Sequence, residues 1–420
     1  MKKIIVLSLL VISGVFIVGC GENKGDEDGR NEGKQTITYA IWDTNQEKGM
    51  KEMANSFEKE NPDIKVNVEV TPWDQYWTKL DAAATGESLP DVFWMHSNES
   101  YRYMSNGILM DLTETLKTSK KTSLDNFPKN ISELYALDGK QYAMPKDIDT
   151  IGLWYNKTLF DNASISYPDE TWTLEIFLAA AKKLTDEEKG IYGFTAVNNG
   201  HEGYWNFIFQ NEGKIMSADR KTSAFTDPKT VEAIQFYADL INKYKVSPSA
   251  DQLAENKPVS FIQSGRSAMG FFGSWMLADF KENDYMKENT DVAVLPQGIK
   301  RASVYNGLGN AVAATTKHKE AALKFIEYLG SKEANLISAK TGAAIPAYEG
   351  TADEWVKNTE NYNVKAYVDM LDYAVIRPFS NETIKVETVE TEKIADLLSG
   401  KKSAENVAKT IQTEVDDILK

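Results

Sequence analysis

Acidic and aromatic side chains stand next to one another at several points of the sequence, and they are the residues best suited to hold a ligand. Trp42-Asp43 is one such pair, Glu202-Gly203-Tyr204-Trp205 is a second group, and Trp275 follows Gly273-Ser274. Aromatic rings cover apolar ligand surface, while carboxylates accept hydrogen bonds from several hydroxyl groups. Together these residue types predict a site for a small ligand that has apolar faces and polar edges.

The motifs of several common enzymes are missing. The sequence has no GxxxxGK[ST] phosphate loop, no GxSxG elbow and no HExxH zinc helix, because His201-Glu202 continues as Gly-Tyr-Trp. Only three histidines occur, and the single cysteine, Cys20, rules out an internal disulfide framework and a cysteine-based zinc site. Hydrolysis by paired carboxylates stays open, since some of the 62 acidic residues could meet. We expect no metal and no cofactor.

Charge and composition limit the classes of partner. Lys and Arg number 47 against 62 Asp and Glu, so the net charge is -15. A surface this negative repels a phosphate backbone, and we expect no nucleic-acid partner. Hydrophobic residues make up 42% and charged residues 26% of the 420 positions, as in ordinary globular proteins. The length fits two or three domains or one large two-lobed body.

The first residues predict export. Lys2 and Lys3 precede an apolar run over residues 4–18 that is too short to span a membrane, and Gly19-Cys20 follows. This order resembles the bacterial lipobox, in which the cysteine is diacylated and becomes the new N-terminus. We expect a signal peptide over residues 1–19, lipidation of Cys20 and a flexible polar tether over 20–35, which would anchor the protein outside the cytoplasm to the bacterial cell membrane. A chance cysteine in an ordinary signal peptide is the alternative.

The spacing of apolar residues predicts an α/β fold. Strands are expected over residues 36–42, 64–70, 92–95 and 151–155, and Met50, Met53 and Phe57 mark a helix between the first two. This βαβ unit predicts mostly parallel sheets with flanking helices. Capping residues predict further helices in the middle and at the C-terminus, after Thr173, Asp227 and Ser403.

Six segments resemble one protein family, in the same order and at similar spacing. They are residues 57–66, 89–96, 145–156, 261–275, 306–315 and 342–347. In them the chain resembles the family 1 extracellular solute-binding proteins of ABC importers, in the sugar-binding branch that includes maltose-binding protein. The most specific pieces are the Pro-Asp strand ending in Phe93-Trp94-Met95-His96 and the segment Gly265-Arg266-Ser267-Ala268-Met269 followed by Gly273-Ser274-Trp275.

The resemblance implies a two-lobed, type II periplasmic-binding-protein-like fold with a helical C-terminus. Lobe 1 would comprise residues 36–147 plus 303–345, and lobe 2 residues 148–302 plus 346–420. A monomer of this family captures a mono- or oligosaccharide in the cleft between the lobes. Closure of the lobes then presents the ligand to the transmembrane permease subunits of the transporter, and the protein is not an enzyme.

A sugar site needs aromatic rings for the apolar faces of a pyranose and polar groups around its hydroxyls. On lobe 1 we expect Trp42, Asp43, Trp94, His96 and Asn98 to provide them, since all lie at or beyond strand ends. Trp42 fits a core position equally well, Asp43 fits a helix cap, and Trp94 fits a buried strand. Ser97-Asn98 replaces the Asp-Arg of maltose-binding protein, so a different sugar pattern is expected.

The resemblance also implies contacts at the first crossing and on lobe 2. The family often places a carboxylate near Asp147, with Asp149 an equally good choice, and Glu202, Tyr204 and Trp205 resemble its Glu-x-Tyr-aromatic segment. Trp275 matches the tryptophan that stacks on the sugar, with packing into the lobe as the alternative. Asn381 is a further candidate contact, from the last cleft-lining segment. Trp73 and Trp77 are spaced i, i+4, which favours packing over ligand contact.

Two other functions are compatible with the sequence. A secreted glycoside hydrolase would use two acids about 5–5.5 Å apart and would turn over a glycoside. A surface adhesin would bind polymeric glycan without transport. Neither needs a residue type that the sequence lacks.

Overall fold

Two β-sheets organise residues 34–420, the part of the chain that the computed structural model describes. The predicted signal peptide, Cys20 and most of the predicted tether lie outside these residues. The strands are β1 (Gln35–Ile41), β2 (Ile64–Val70), β3 (Val92–Met95), β4 (Ala136–Leu137), β5 (Lys140–Gln141), β6 (Ala143–Pro145), β7 (Asp147–Asn156), β8 (Met269–Gly273), β9 (Thr290–Ala293), β10 (Val304–Asn306), β11 (Gly309–Val312), β12 (Ile345–Pro346) and β13 (Val375–Ile376).

Helices cover both sheets. They are α1 (Glu47–Glu60), α2 (Trp73–Thr85), α3 (Ser97–Ser105), α4 (Thr113–Thr118), α5 (Lys129–Glu133), α6 (Lys157–Ala163), α7 (Leu174–Leu184), α8 (Trp205–Gln210), α9 (Pro228–Asn242), α10 (Ala250–Glu255), α11 (Val259–Gln263), α12 (Leu277–Phe280), α13 (Asp284–Asn289), α14 (Lys319–Leu329), α15 (Lys332–Thr341), α16 (Ala352–Lys357), α17 (Lys365–Asp369), α18 (Thr383–Leu398) and α19 (Ala404–Ile418). Short 3-10 turns occupy Thr44–Gln46, Leu124–Asn126, Ser274–Met276 and Met370–Tyr373, and a π-helical turn occupies Gly200–Tyr204.

The elements form where the local sequence predicts them. Met50, Met53 and Phe57 are all buried on one face of α1, which connects the parallel strands β1 and β2. Asp227 accepts a hydrogen bond from the Lys229 N–H at the start of α9, and this cap satisfies one of the free donors of the first turn.

The two sheets define two lobes. The first sheet has the strand order β2-β1-β3-β11-β6, and the second is built on β7, which pairs with β12 and β10 through its first half and with β8 and β9 through its second. The chain passes from the first sheet to the second at Lys146, returns between β10 and β11, and passes over again between α15 and β12. Strand β10 pairs in the second sheet, although the predicted segment of lobe 1 begins at residue 303.

The strand pairings are mixed rather than mostly parallel. Only β1–β2, β1–β3 and β10–β13 are parallel among the strand pairs of the described residues. Strand β6 leaves the first sheet towards the second, whereas β11 returns from it, so the two run in opposite directions where they pair. The same holds for β7 and β10 in the second sheet. The crossings between the lobes therefore introduce these two antiparallel pairs, and a local βαβ pattern does not reveal them.

Much of the high aromatic content lies in the cores. In lobe 1 the ring of Phe325 packs edge-on against Tyr39 and Phe57, with centroids 5.2 and 5.0 Å apart. In lobe 2 Phe207 and Phe271 stack at 5.2 Å. Each such pair contributes roughly 0.5–1.5 kcal/mol beyond the burial of its area. The two lobes thus have rigid interiors, and the functional side chains project from their edges.

Candidate ligand-binding cavity

A cavity of about 680 Å³ lies between residues of the two lobes. All but two of the predicted contact residues line it, namely Trp42, Asp43, His96, Asn98, Asp147, Glu202, Tyr204, Trp205 and Trp275. The two exceptions are Trp94 and Asn381. The cavity is enclosed on two sides, because α12 packs against the Thr44–Gln46 turn and α18 packs against α3.

Aromatic rings form the lobe 1 wall. Trp42 follows β1, and its ring lies 5.2 Å from that of Trp73 and 6.4 Å from that of His96. Trp73 is 41% exposed and lines the cavity. This differs from the expectation that the spacing of Trp73 and Trp77 favours packing. A usable signal was present: Trp73 follows β2 as Trp42 follows β1, and parallel neighbouring strands end at the same edge of a sheet.

Trp94 supports this wall from beneath and does not reach the cavity. It is fully buried on β3, its indole N–H donates to the Tyr39 hydroxyl at 2.7 Å, and its ring packs edge-on against Trp42 at 5.0 Å. The Lys146 ammonium group lies 4.1 Å from the ring centroid. The alternative of a buried strand residue is therefore correct for Trp94, since β3 is covered on both faces.

Asn381 is exposed and lies outside the cavity lining. It precedes α18, whose own side chains Glu387 and Thr391 reach the cavity instead. Asn381 therefore lies just before α18, which begins at Thr383, and the structure does not bring it to the cavity lining.

A polar network holds the acids at the first crossing. Asp43 caps the turn after β1, accepting from the Asn45 N–H at 2.9 Å, and its other oxygen accepts from the Gln46 side chain. Lys146 donates to Gln46 at 3.0 Å and to Asp147 at 2.5 Å. Burial nevertheless raises the pKa of Asp147 above its usual value. Asp43 therefore combines the predicted cap with a place in the cavity lining.

His96 is held as a neutral ring. Its Nδ1 accepts from the Asn98 N–H at 3.2 Å and so caps α3. Burial first, and then the charges of Arg377 and His201, lower the pKa of His96 well below its usual value. A neutral imidazole lines the cavity with a flat ring that carries no charge.

Arg377 and Glu387 form an ion pair that the sequence analysis missed. The Arg377 guanidinium donates to both Glu387 oxygens at 2.7 Å, and its Nη1 lies 3.2 Å from His96 Nε2. Arg377 follows β13 and Glu387 lies on α18, while His96 follows β3 of the first sheet. Arg377 thus links the two lobes at the cavity wall. An arginine directly after a short apolar run was the available signal.

The lobe 2 wall is built around the π-helical turn Gly200–Tyr204. The Asn199 side chain caps this turn, accepting from the Glu202 N–H at 3.0 Å. His201 Nε2 lies 3.2 Å from Asp149 Oδ1, and the His201 ring lies 5.0 Å from the ring of Trp275. Asp149, the alternative to Asp147, also lines the cavity. The turn therefore connects the crossing strand β7 with the wall.

Two acids, the buried Glu390 and the partly exposed Glu202, support the aromatic residues of this wall. The Trp205 indole N–H donates to Glu390 Oε2 at 2.9 Å, and burial raises the pKa of Glu390 to about 8. Glu202 accepts from the Gly273 N–H at 3.1 Å, and burial, followed by the nearby charge of Asp149, raises its pKa to about 7. Tyr204 is 1% and Trp205 2% exposed, so each offers the cavity only an edge.

Residues 42–336 match the family described as bacterial extracellular solute-binding protein. The chain belongs to this family. The solute-binding protein has the type II two-lobed α/β fold of its structural neighbours. Within residues 34–420 no helix combines the length and apolar character needed to cross a membrane, and no cluster of His, Cys, Asp and Glu could hold a metal ion.

Named relatives of the solute-binding protein cover nearly its whole length. An ABC substrate-binding protein from Listeria monocytogenes, solved in complex with cycloalternan, is 29% identical, with a TM-score of 0.85 over 92% of this chain and 99% of that one. The maltodextrin-binding protein of Bacillus subtilis is 25% identical over 94% of this chain and 92% of its own. A maltooligosaccharide ABC transporter solute-binding lipoprotein of Streptococcus pneumoniae is 23% identical over 100% and 98%.

Proposed function

We propose that this solute-binding protein is the substrate-binding component of an ABC transporter, and that it captures a mono- or oligosaccharide in the cavity and delivers it to the membrane permease as a monomer. One observation carries the proposal: partly exposed tryptophans of both lobes, Trp42 and Trp73 on one side and Trp275 on the other, line the same cavity as several carboxylates. Relatives that are named for maltodextrin or maltooligosaccharide, or solved with cycloalternan, support it.

The charges of the lining favour a neutral saccharide. Asp43, Asp147, Asp149, Glu202 and Glu387 line the cavity. Arg377, the cation of the lining within the described residues, is already paired with Glu387. A phosphorylated or acidic sugar would meet carboxylates and no free cation, and like charges in an enclosed site repel strongly. The hydroxyls of a neutral sugar can donate to the same carboxylates.

We further propose eight cavity-lining members of the predicted set as the ligand contacts: Trp42, Asp43, His96, Asn98, Asp147, Tyr204, Trp205 and Trp275. Glu202 lines the cavity with them and is assigned a supporting role. In this proposal Trp275 stacks on a pyranose ring, and the acids and amides replace water around its hydroxyls. A ligand that touches both lobes binds their closed arrangement better than an open one and shifts the hinge equilibrium towards it.

We also propose that Cys20 carries the lipid that keeps the protein at the outer side of the cell membrane. The lipobox-like residues before Cys20 and the lipoprotein name of one relative support this. In a bacterial host fed an alkyne-tagged fatty acid, wild type is expected to take up the tag, and Cys20→Ser is expected to lack it and to appear in the medium. A tag that persists in Cys20→Ser would contradict the anchor.

A thermal-shift and calorimetry screen tests the ligand class. Glucose, maltose, maltotriose and a cyclic glucan, with glucose 6-phosphate as the charged control, are added to the purified chain. A ligand that binds only the folded state raises the Tm. At a ligand concentration of a hundred times Kd, the free energy of unfolding increases by about 2.7 kcal/mol. A rise with neutral saccharides alone is expected, and no rise with any of them contradicts the proposal.

Two further readouts separate the alternative functions. Chromatography of the incubated oligosaccharides is expected to return them intact, whereas shortened products would support the glycoside hydrolase. Deletion of the gene is expected to abolish uptake of the labelled saccharide. Normal uptake together with lost adhesion to an immobilised glycan would support the adhesin instead.

A further inference from the structure

We propose that Glu202 is a positioning residue for Trp275, and that it acts through the backbone of Gly273. This inference deepens the proposed function, because it assigns to a predicted contact residue an effect on the ligand that passes through the indole ring. It rests on geometry within residues of lobe 2.

The Trp275 indole packs directly on Gly273. Gly273 ends β8, and Trp275 lies in the 3-10 turn that follows. A Cβ atom placed on Gly273 would come within 2.0–2.3 Å of three carbon atoms of the indole, closer than any real contact. The ring therefore lies flat against the backbone at this point, and whatever fixes the Gly273 backbone fixes the ring.

Glu202 is the group that holds this backbone. Its Oε1 accepts from the Gly273 N–H at 3.1 Å. The strand opposite does not compete for Gly273, because its register partner Ile151 exchanges hydrogen bonds with the Ser303 hydroxyl through both its N–H and its C=O. Gly273 and Ile151 thus oppose each other as a non-hydrogen-bonded pair, and the carboxylate satisfies the Gly273 N–H on the side of β8 that faces away from β7.

The neighbour of Glu202 also packs against the Trp275 ring. His201 precedes Glu202 in the π-helical turn, and its ring lies 5.0 Å from Trp275 at an angle of 40°. The same turn begins at Gly200, where an added Cβ would come within 2.2–2.6 Å of the Trp205 indole. The turn therefore contacts both tryptophans of the lobe 2 wall, Trp205 through Gly200 and Trp275 through His201.

Glu202 has no other evident partner. It forms no ion pair within residues 34–420, and Gly273 is its one hydrogen-bonding partner as an acceptor there. Removing an acid from water without a cation beside it costs free energy unless hydrogen bonds compensate. Direct contact with the ligand is the competing explanation, and it makes a different prediction for the double variant.

A double-mutant cycle separates the two explanations. With maltotriose in calorimetry, Glu202→Ala is expected to weaken binding about fivefold to tenfold, and Glu202→Gln, which keeps an acceptor oxygen, to recover most of that loss. In a Trp275→Ala background, Glu202→Ala is expected to cost less than a further twofold, since its route to the ligand is gone. Additive losses would overturn the proposal. Glu288→Ala, an exposed acid on α13, serves as the matched control.

A second measurement needs no ligand. In protein labelled with 5-fluorotryptophan, the resonance that disappears in Trp275→Phe belongs to Trp275. This resonance is expected to shift and broaden in Glu202→Ala, but to stay near its wild-type position in Glu202→Gln and Glu288→Ala. An unmoved resonance in folded Glu202→Ala would overturn the proposal even if no saccharide binds, whereas absence of saccharide binding alone contradicts only the proposed function.

Discussion

The indole N–H of Trp205 donates to the carboxyl group of Glu390, which is 1% exposed, across 2.9 Å. Glu390 thus holds a ring at the cavity edge from inside lobe 2. Burial is the main cause of its raised pKa of about 8, outweighing the hydrogen bonds from Trp205 and Tyr204, and the charge of Glu387 raises it further. The carboxyl group is therefore mainly protonated in the folded protein at neutral pH.

This pKa predicts a loss of stability with rising pH. The ordinary value is 4.5, so the unfolded chain releases the proton at lower pH than the folded one. The contribution of Glu390 is fully present below about pH 4.5 and is lost as the pH rises towards 8. At about 1.4 kcal/mol per pKa unit, the whole loss is on the order of 5 kcal/mol. Urea unfolding of wild type and Glu390→Gln between pH 5 and 8 measures it.

Glu390→Gln keeps an acceptor for Trp205 but cannot ionise, so its free energy of unfolding should change less over this range. Glu414→Gln, an acid at a more exposed position, is the control and should follow the wild-type profile. Parallel profiles for wild type and Glu390→Gln would contradict the assignment.

Trp275→Ala is expected to weaken saccharide binding without unfolding the protein. The indole is partly exposed, and losing its contact with a sugar face removes on the order of 1.5–3 kcal/mol, or about 10- to 100-fold in Kd. Calorimetry with the best ligand of the screen measures the change. Tyr167→Ala, which removes a 38% exposed aromatic ring outside the cavity lining, should leave Kd within twofold. An unchanged Kd in Trp275→Ala would exclude that residue from the site.

Trp94→Phe is expected to act mainly on stability. The substitution removes the hydrogen bond to Tyr39 and most of the cation–π contact with Lys146, at a cost of about 1–2 kcal/mol. Its effect on Kd should be smaller than that of Trp73→Ala, because only Trp73 faces the cavity. Denaturant unfolding and calorimetry on both variants compare the two effects, and the reverse order would contradict the placement of these residues.

Glu387→Ala is expected to lower the free energy of unfolding by about 2–3 kcal/mol, since it leaves the Arg377 guanidinium without its carboxylate. The Arg377 side chain is only 9% exposed, so water cannot replace the lost partner fully. Lys385→Ala breaks an exposed pair with Glu382 on the same helix and should cost less than about 0.5 kcal/mol. Equal losses of unfolding free energy in the two variants would show that the Arg377–Glu387 pair contributes no more than an exposed ion pair.

Local pattern was sufficient for several of the longer elements. The alternation in residues 64–70 predicts β2, and Asp227-Pro228 predicts the start of α9, because strand alternation and helix capping depend on residues a few positions apart. The family resemblance, together with the residue types, supplied the two-lobed fold and nine of the residues that line the cavity. It did so because strand ends and the residues after them occupy similar places throughout such folds.

By itself the sequence determined the α/β elements, the acid and aromatic residues available to a ligand, and the order in which they occur. Which tryptophan rings face the cavity depends on the tertiary structure. Trp94 lies on β3 and Trp73 follows shortly after β2, yet β3 is covered on both faces, while Trp73 begins α2 beside the cavity. The Arg377–Glu387 pair and its approach to His96 join segments about 280 residues apart. Such contacts depend on how distant elements pack, and no local spacing encodes them.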